Sequence, residues 1–400
     1  MKPEAVNRRL VPLYISGFFQ GIIFWYAIEK VFMVHIGFSP SLIALNVILI
    51  SVTILLLEIP SGILADRWSR KGVLLLGCSA SAIGTLLLGI SDSVVAYMVA
   101  SCIYGAHFAL NSGTVDTMIY DTLIETRGER KGFEKYLGRA TFFLSAGLVI
   151  GGLCGGLIAH SFGLSAAYLW TLPSTTLAII GLLYFKEPTL HKQQESPKLW
   201  QHVGETLGVA FQKGYIAWMM LSIVCFSLLS NFILQLGQLW ALSLHLNLRL
   251  YGPLDALLLL GLGIGGPLAA YAVTRRPVMS LLYGLSFVAV CLLLIRNLPL
   301  VVVGQLGVVA LSAALYNIML GKFHDVLPSS LRSGSSSVSG TVTNLALIPL
   351  VFVFGKLADY VGISHASYLL VPIVAIGIYS MTKVGAKLQS KAPLVASSSA

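Results

Sequence analysis

The sequence predicts an all-α integral membrane protein of twelve transmembrane helices in two six-helix, pseudo-symmetric halves. Three observations predict it. Hydrophobic residues make up 56% of the 400-residue chain and charged residues 10%, with a mean hydropathy of +0.84. Globular domains carry about 25% charged residues, so this much apolar surface calls for a lipid bilayer as partner. The apolar residues fall into twelve runs of spanning length, at 10–34, 40–61, 72–91, 95–120, 138–160, 165–185, 214–240, 253–273, 277–296, 298–320, 336–357 and 363–383. The chain also echoes itself. Gly156-Leu-Ile-Ala159-x-x-x-Gly163 returns as Gly355-Lys-Leu-Ala358-x-x-x-Gly362, and Gly62-x-Leu64-Ala65 as Gly266-x-Leu268-Ala269. Two echoes at nearly one offset point to two related halves.

Charge fixes the expected orientation. With the N-terminus inside, 22 Lys and Arg fall on inner segments and 4 on outer ones, Lys30, Arg249, Arg296 and Lys356. Basic residues accumulate on the cytoplasmic side, so both termini are expected inside, in the plasma (inner) membrane. The net charge of +10 lies in short loops and not on one soluble face, which excludes a nucleic-acid partner. The organisation expected is a bundle over 1–185, a cytoplasmic linker over 186–213, a second bundle over 214–384 and a disordered tail over 385–400. In the linker, Trp200, Val203, Leu207 and Phe211 recur at helical spacing, which fits an amphipathic helix on the membrane or a plain solvated linker.

Span one carries Phe18, Ile22, Trp25 and Glu29 at helical spacing, an aromatic face ending in a carboxylate. Glu29 and Lys30 are neighbours in sequence, so they are expected to point apart. Span two carries Glu58, Gly62 and Asp66 on one face and runs into the loop Gly62-x-Leu64-Ala65-Asp66-Arg67-x-x-Arg70-Lys71. That loop resembles the signature between spans two and three of the major facilitator superfamily, G-x-L-A-D-R-x-G-R-K, with Ser69 in place of a glycine. The resemblance implies secondary transport of a small molecule by alternating access. It implies a gating role for Gly62, Asp66, Arg67, Arg70 and Lys71. Asp66 is expected to brace a basic neighbour and the start of span eleven, and Arg139 at the start of span five is the candidate cation. It also implies that spans one, four, seven and ten line a central cavity.

Polar residues inside those spans are the candidate ligands and proton carriers, because such groups are costly in lipid and face an interior. Span four places His107 and Asn111 on one stripe and Asp116 on another. Asp116 is the expected proton carrier, since no Lys or Arg lies beside it, with Glu29 and Glu58 as alternatives. Asn231, Gln235 and Gln238 follow one face of span seven, and Gln305 and Tyr316 one face of span ten. With Phe18, Trp25, His107 and Asn111 they form the expected substrate cavity. Interhelical hydrogen bonding explains the same stripes without a ligand. Span five reads Gly147-x-x-x-Gly151-Gly152-x-x-Gly155-Gly156 and looks like the glycine-rich helix of antiporters in that superfamily, without its usual proline. The five cysteines all fall in apolar runs, and no phosphate-cradling loop or metal-spaced histidine pair occurs. No metal, cofactor or enzymatic activity is expected. The expected protein is a monomer driven by protons or sodium, exporting a small amphipathic molecule, with nutrient uptake or a non-transporting receptor or scaffold as alternatives.

Overall fold

Serines begin three of the first helices. Ser39, Ser69 and Ser93 are extended residues whose hydroxyls accept from backbone N–H groups three positions on, those of Leu42, Gly72 and Ala96. Ser69 is therefore a helix cap with φ −168°, and the loop needs no glycine there. The computed structural model describes residues 3–128, 132–188, 214–326 and 332–390. Its first spans are α1 (Pro3–Gly21), α2 (Glu29–His35), α3 (Pro40–Arg67), α4 (Arg70–Ile90), α5 (Val94–Asn111), α6 (Thr114–Arg127), α7 (Phe133–Phe162) and α8 (Leu164–Tyr184). The later ones are α9 (Tyr215–Leu236), α10 (Gln238–Ser243), α11 (Tyr251–Ala272), α12 (Arg276–Leu292), α13 (Leu298–Val326), α14 (Arg332–Val361), α15 (Ile363–Ala366) and α16 (Leu370–Ser390). No strand occurs among the described residues.

Among the described residues, eleven segments are long and apolar enough to cross a bilayer, and the remaining expected span is a shorter apolar helix, Pro277–Leu292. Large apolar side chains stand exposed on these helices, among them Leu56, Val95 and Phe142. In water such a surface would be untenable, and in lipid it is the normal outer face. The last helix runs on through Ser390, which corrects the tail expected from residue 385. The expected linker helix at 198–211 and the final ten residues lie outside the described residues.

Three expected spans are interrupted, which corrects their reading as single helices. Span one breaks after Gly21 and resumes through a 3-10 turn, Tyr26–Ile28, into α2. Span four breaks at Ser112-Gly113, where Gly113 has φ +66°, a conformation that glycine adopts without strain. Span seven breaks at Gly237. Irregular backbone at membrane depth needs partners, and each break has them. At the first, Phe24 N–H donates to Thr171 Oγ1 (3.1 Å) and Ser174 Oγ donates to the Ile22 carbonyl (2.8 Å). At the third, Gln305 Nε2 donates to the Gly237 carbonyl at 2.9 Å.

The contacts divide the chain into two units. The first holds the described residues before 197 together with His245–Ala256, and the second the others. In the first, α1 packs on α7 and α8, and α4 on α5 and α8. In the second, α9 packs on α14 and α16, and α12 on α13 and α16. Counted as spans, the pairs one–five, one–six, three–four and three–six recur as seven–eleven, seven–twelve, nine–ten and nine–twelve. The two halves that the sequence echoes predict thus share one packing scheme.

The glycines of α7 have a specific job in the first unit. A Cβ on Gly147 would strike the Phe18 carbonyl, one on Gly151 would lie 2.5 Å from the Ile23 nitrogen, and one on Gly155 would strike the Phe24 carbonyl. Their immediate neighbours face the start of span eight: Gly152 lies against Asp255, and Gly156 against Leu248 and Gly252. Two adjacent glycine rows on one helix therefore seat the unwound part of span one and the start of span eight side by side.

Candidate functional site

The broken end of span one is buried. Trp25 stacks on Tyr168 with ring centroids 5.0 Å apart and meets Tyr104 edge-on at 5.0 Å. Phe32 packs on Tyr168 and Tyr97, and the Tyr97 and Tyr168 hydroxyls hydrogen-bond at 3.0 Å. Trp25 is 3% exposed. It belongs to this aromatic core, because the break rotates it out of line with Phe18, and the continuous aromatic face expected on span one does not form. Phe18 stays half-buried against Phe19. Directly after the aromatic core, Lys30 Nζ binds Glu29 Oε2. This corrects the expectation that the two point apart. Glu29 opens a new helix after a 3-10 turn, so the spacing of a regular helix does not apply to it. Asp255, a residue the sequence reading passed over, is 6% exposed and lies in the same region of the first unit. Its signal was an acid placed just inside an apolar run, after Gly252-Pro253.

The break in span four gathers a second group. Ser112 Oγ donates to Glu58 Oε1 at 3.3 Å, and Ser61 Oγ donates to the Ala109 carbonyl at 2.9 Å, which ties α3 to α5 there. Asp116 falls in the first turn of α6, just past the break. Its side chain is exposed. First-turn positions offer unpaired backbone N–H groups and the positive end of the helix dipole. His107 and Asn111 do share a stripe. Asn111 Nδ2 lies 2.8 Å from His107 Nδ1, which also lies 2.9 Å from the Gly77 carbonyl, so both engage α4 and each other.

The basic loop forms a third group. Arg70 reaches Asp66 at 3.3 Å and pairs with buried Asp121. Arg139 donates to Asn7 Oδ1 at 2.6 Å and lies over the Tyr136 ring, so the cation beside Asp66 is Arg70 and not Arg139. Glu187 caps α4: its carboxylate accepts from Ser69 Oγ (2.6 Å), Arg70 N–H (2.6 Å) and Lys71 N–H (3.2 Å). Lys71 Nζ donates to the Leu183 carbonyl at 2.6 Å. Gly62 has open space where a Cβ would go, and Arg67 ends α3. The side chains that begin α14, Asp66's other expected partner, lie outside the described residues.

In the second unit the amide stripes are put to local use. Asn231 Nδ2 donates to its own helix at the Ser227 carbonyl (2.9 Å). Gln238 starts α10 beyond the break, off the line of Asn231 and Gln235. Gln305 is 1% exposed and occupied with Gly237, whereas Tyr316 and Gln235 are half-buried. No group of three or more His, Cys, Asp or Glu suited to a metal ion occurs among the described residues.

The comparisons bear on this arrangement. A solved bacterial homologue of the human lysosomal transporter Spinster, in an inward-facing and occupied conformation, superposes with a TM-score of 0.74 at 13% identity, covering 99% of this chain and 100% of that one. The solved nucleoside transporter NupG superposes with a TM-score of 0.66 at 15% identity, covering 97% of this chain and 99% of that one. At such identity the likeness establishes the fold. No curated protein sequence matches this chain. The family model described as Major Facilitator Superfamily matches residues 10–273, well over half of the chain. With its all-helical multi-pass architecture and paired halves, the chain belongs to the major facilitator superfamily of membrane transporters.

Proposed function

We propose that this chain is a secondary active transporter of the bacterial inner membrane, monomeric, with both termini cytoplasmic. It works by alternating access and exports a small amphipathic organic molecule in exchange for protons. One observation carries the coupling: carboxylates sit inside spans of the first unit at the points where helices are interrupted. Glu29 follows the break of span one, and Glu58 and Asp116 flank that of span four. Interrupted helices with ionisable side chains are where secondary transporters bind coupling ions. The substrate class follows from charge. No Arg falls in the middle of a span, and Lys30 in span one is paired with Glu29, so an anionic phosphate or sugar acid finds no fixed counter-ion.

Proton-coupled uptake of a nutrient is the second reading, and the likeness to the fold of a nucleoside transporter is what favours it. A non-transporting receptor on this fold would not need the intact Gly62–Lys71 loop. The test is flux in proteoliposomes with an imposed pH gradient, using fluorescent amphipathic dyes and nucleosides as probes. Gradient-driven movement of dye opposite to the protons supports export. Concentration of nucleoside along with the protons turns the reading to uptake. Flux that ignores pH and follows sodium defeats proton coupling. Asp116→Asn is expected to lose uphill transport while still binding dye. If the variant concentrates dye as wild type does, coupling belongs to Glu29 or Glu58.

A further inference from the structure

We propose that Glu29, Lys30 and Asp255 form one buried ion site that binds a single proton, exchanged at the Asp255 carboxylate. The geometry starts from α7. Gly151 and Gly155 hold the unwound residues Ile23 and Phe24, and the adjacent Gly152 and Gly156 hold Asp255 and Gly252. A Cβ on Gly152 would lie 3.5 Å from Asp255 Oδ2, so the carboxylate rests on this helix beside span one. Tyr26 is within electrostatic reach of both Asp255 and Glu29, and Glu29 is within reach of Asp255. The other titratable groups around the site are the phenols of Tyr97, Tyr104 and Tyr168, which all feel the Glu29 charge, and Tyr251 one turn before Asp255.

Charge accounting then selects the ligand. Glu29 and Lys30 neutralise each other across a direct ion pair, with Lys30 4% exposed. Asp255 is 94% buried by its 6% exposure, and no hydrogen bond or ion pair reaches it among the described residues. A buried charge without a partner is costly, so such groups are paired or neutral. Two carboxylates and one ammonium leave one negative charge, and one proton removes it. A sodium ion would have to settle beside an ammonium that already occupies Glu29, which disfavours it. Proton loading forms one O–H bond on Asp255 from a proton delivered by water, and release returns that proton to water. The inference rests on the secondary-transport reading for what the proton drives, but not for where it binds.

Infrared difference spectroscopy on the purified full-length protein tests the site with the proton itself as probe and no substrate. Wild type is expected to show a protonated-carboxyl C=O band at neutral pH that bleaches in alkaline buffer. Asp255→Asn should lose that band. Asp255→Glu should restore it at a shifted frequency, which keeps the test alive if the amide variant does not fold. Glu29→Gln should also lose the band at neutral pH, because Lys30 and Asp255 then balance without a proton. A band that survives Asp255→Asn, or that sodium chloride erases at constant pH, overturns the site. A wild-type band without gradient-driven flux keeps the site and defeats the transport reading. Gradient-driven flux with no wild-type band does the reverse.

Discussion

Arg70 has two carboxylate partners with very different surroundings, and they predict different phenotypes. Asp66 is 48% exposed on its side chain and 3.3 Å away, a surface i,i+4 pair worth under about 1 kcal/mol. Asp121 is 5% exposed on its side chain and holds a guanidinium that is 17% exposed. Removing one member of such a buried pair strands the other, at about 3 kcal/mol or more. Asp66→Asn should therefore leave the melting of the detergent-purified protein nearly unchanged and lower transport, which is what a gating role requires. Asp121→Asn should lower melting clearly. Equal losses of stability in both variants would remove the distinction. Glu187 belongs with this group. Glu187→Ala strips the start of α4 of a cap shared by three donors and should cost about 1–2 kcal/mol in the same melt, with Glu187→Gln between it and wild type. An unchanged melt for Glu187→Ala would show that water replaces the cap.

The helices were legible as spans but not as interrupted spans. Apolar length and loop charge act over about twenty residues and survive any local detail, so the run boundaries and the Gly62–Lys71 loop stood out. The breaks at Gly21, Gly113 and Gly237 carry no proline, and the hydrophobic pattern runs straight through them. Their partners, Thr171, Ser174 and Gln305, lie far away in sequence, as does Glu187 from the helix it caps. Pairing across such distances leaves no trace in local spacing. For the same reason the Phe18–Trp25–Glu29 stripe, continuous in the sequence, is broken in the structure. The glycine spacing of α7 fits close helix packing, but it does not name the object that is packed. That object supplies a test. Gly155→Ala places a methyl on the Phe24 carbonyl, with backbone on both sides and no side chain to yield, and overpacking there should cost about 3 kcal/mol or more. Gly138→Ala, on the same helix with open space at the Cβ, should change stability by less than about 1 kcal/mol. Fluorescence size-exclusion profiles of the two variants are the measurement. A monodisperse Gly155→Ala protein would mean that span one is not held as described.

At the scale of the whole chain, the recurring pairs of spans and the placement of basic residues make separate statements. The pairs say that the two halves share a packing scheme, and the charges say which way they face. Orientation depends on Lys and Arg in short loops and hardly on Asp or Glu, so the 22-to-4 division is the relevant quantity rather than the net charge of +10. It predicts that the loop after α4 and the loop before α15 face outward, and that the segment after α8 faces the cytoplasm. Ser364 is a poor reporter for this, because it is 8% exposed, whereas Asp92, His365 and Lys186 are all exposed. The native cysteines are free thiols, and three of them are partly exposed, so the labels belong in a cysteine-free background. A membrane-impermeant maleimide on intact cells should then modify Asp92→Cys and His365→Cys. Lys186→Cys should react only once the membrane is opened. Modification of Lys186→Cys from outside, with protection of the other two, would invert the molecule.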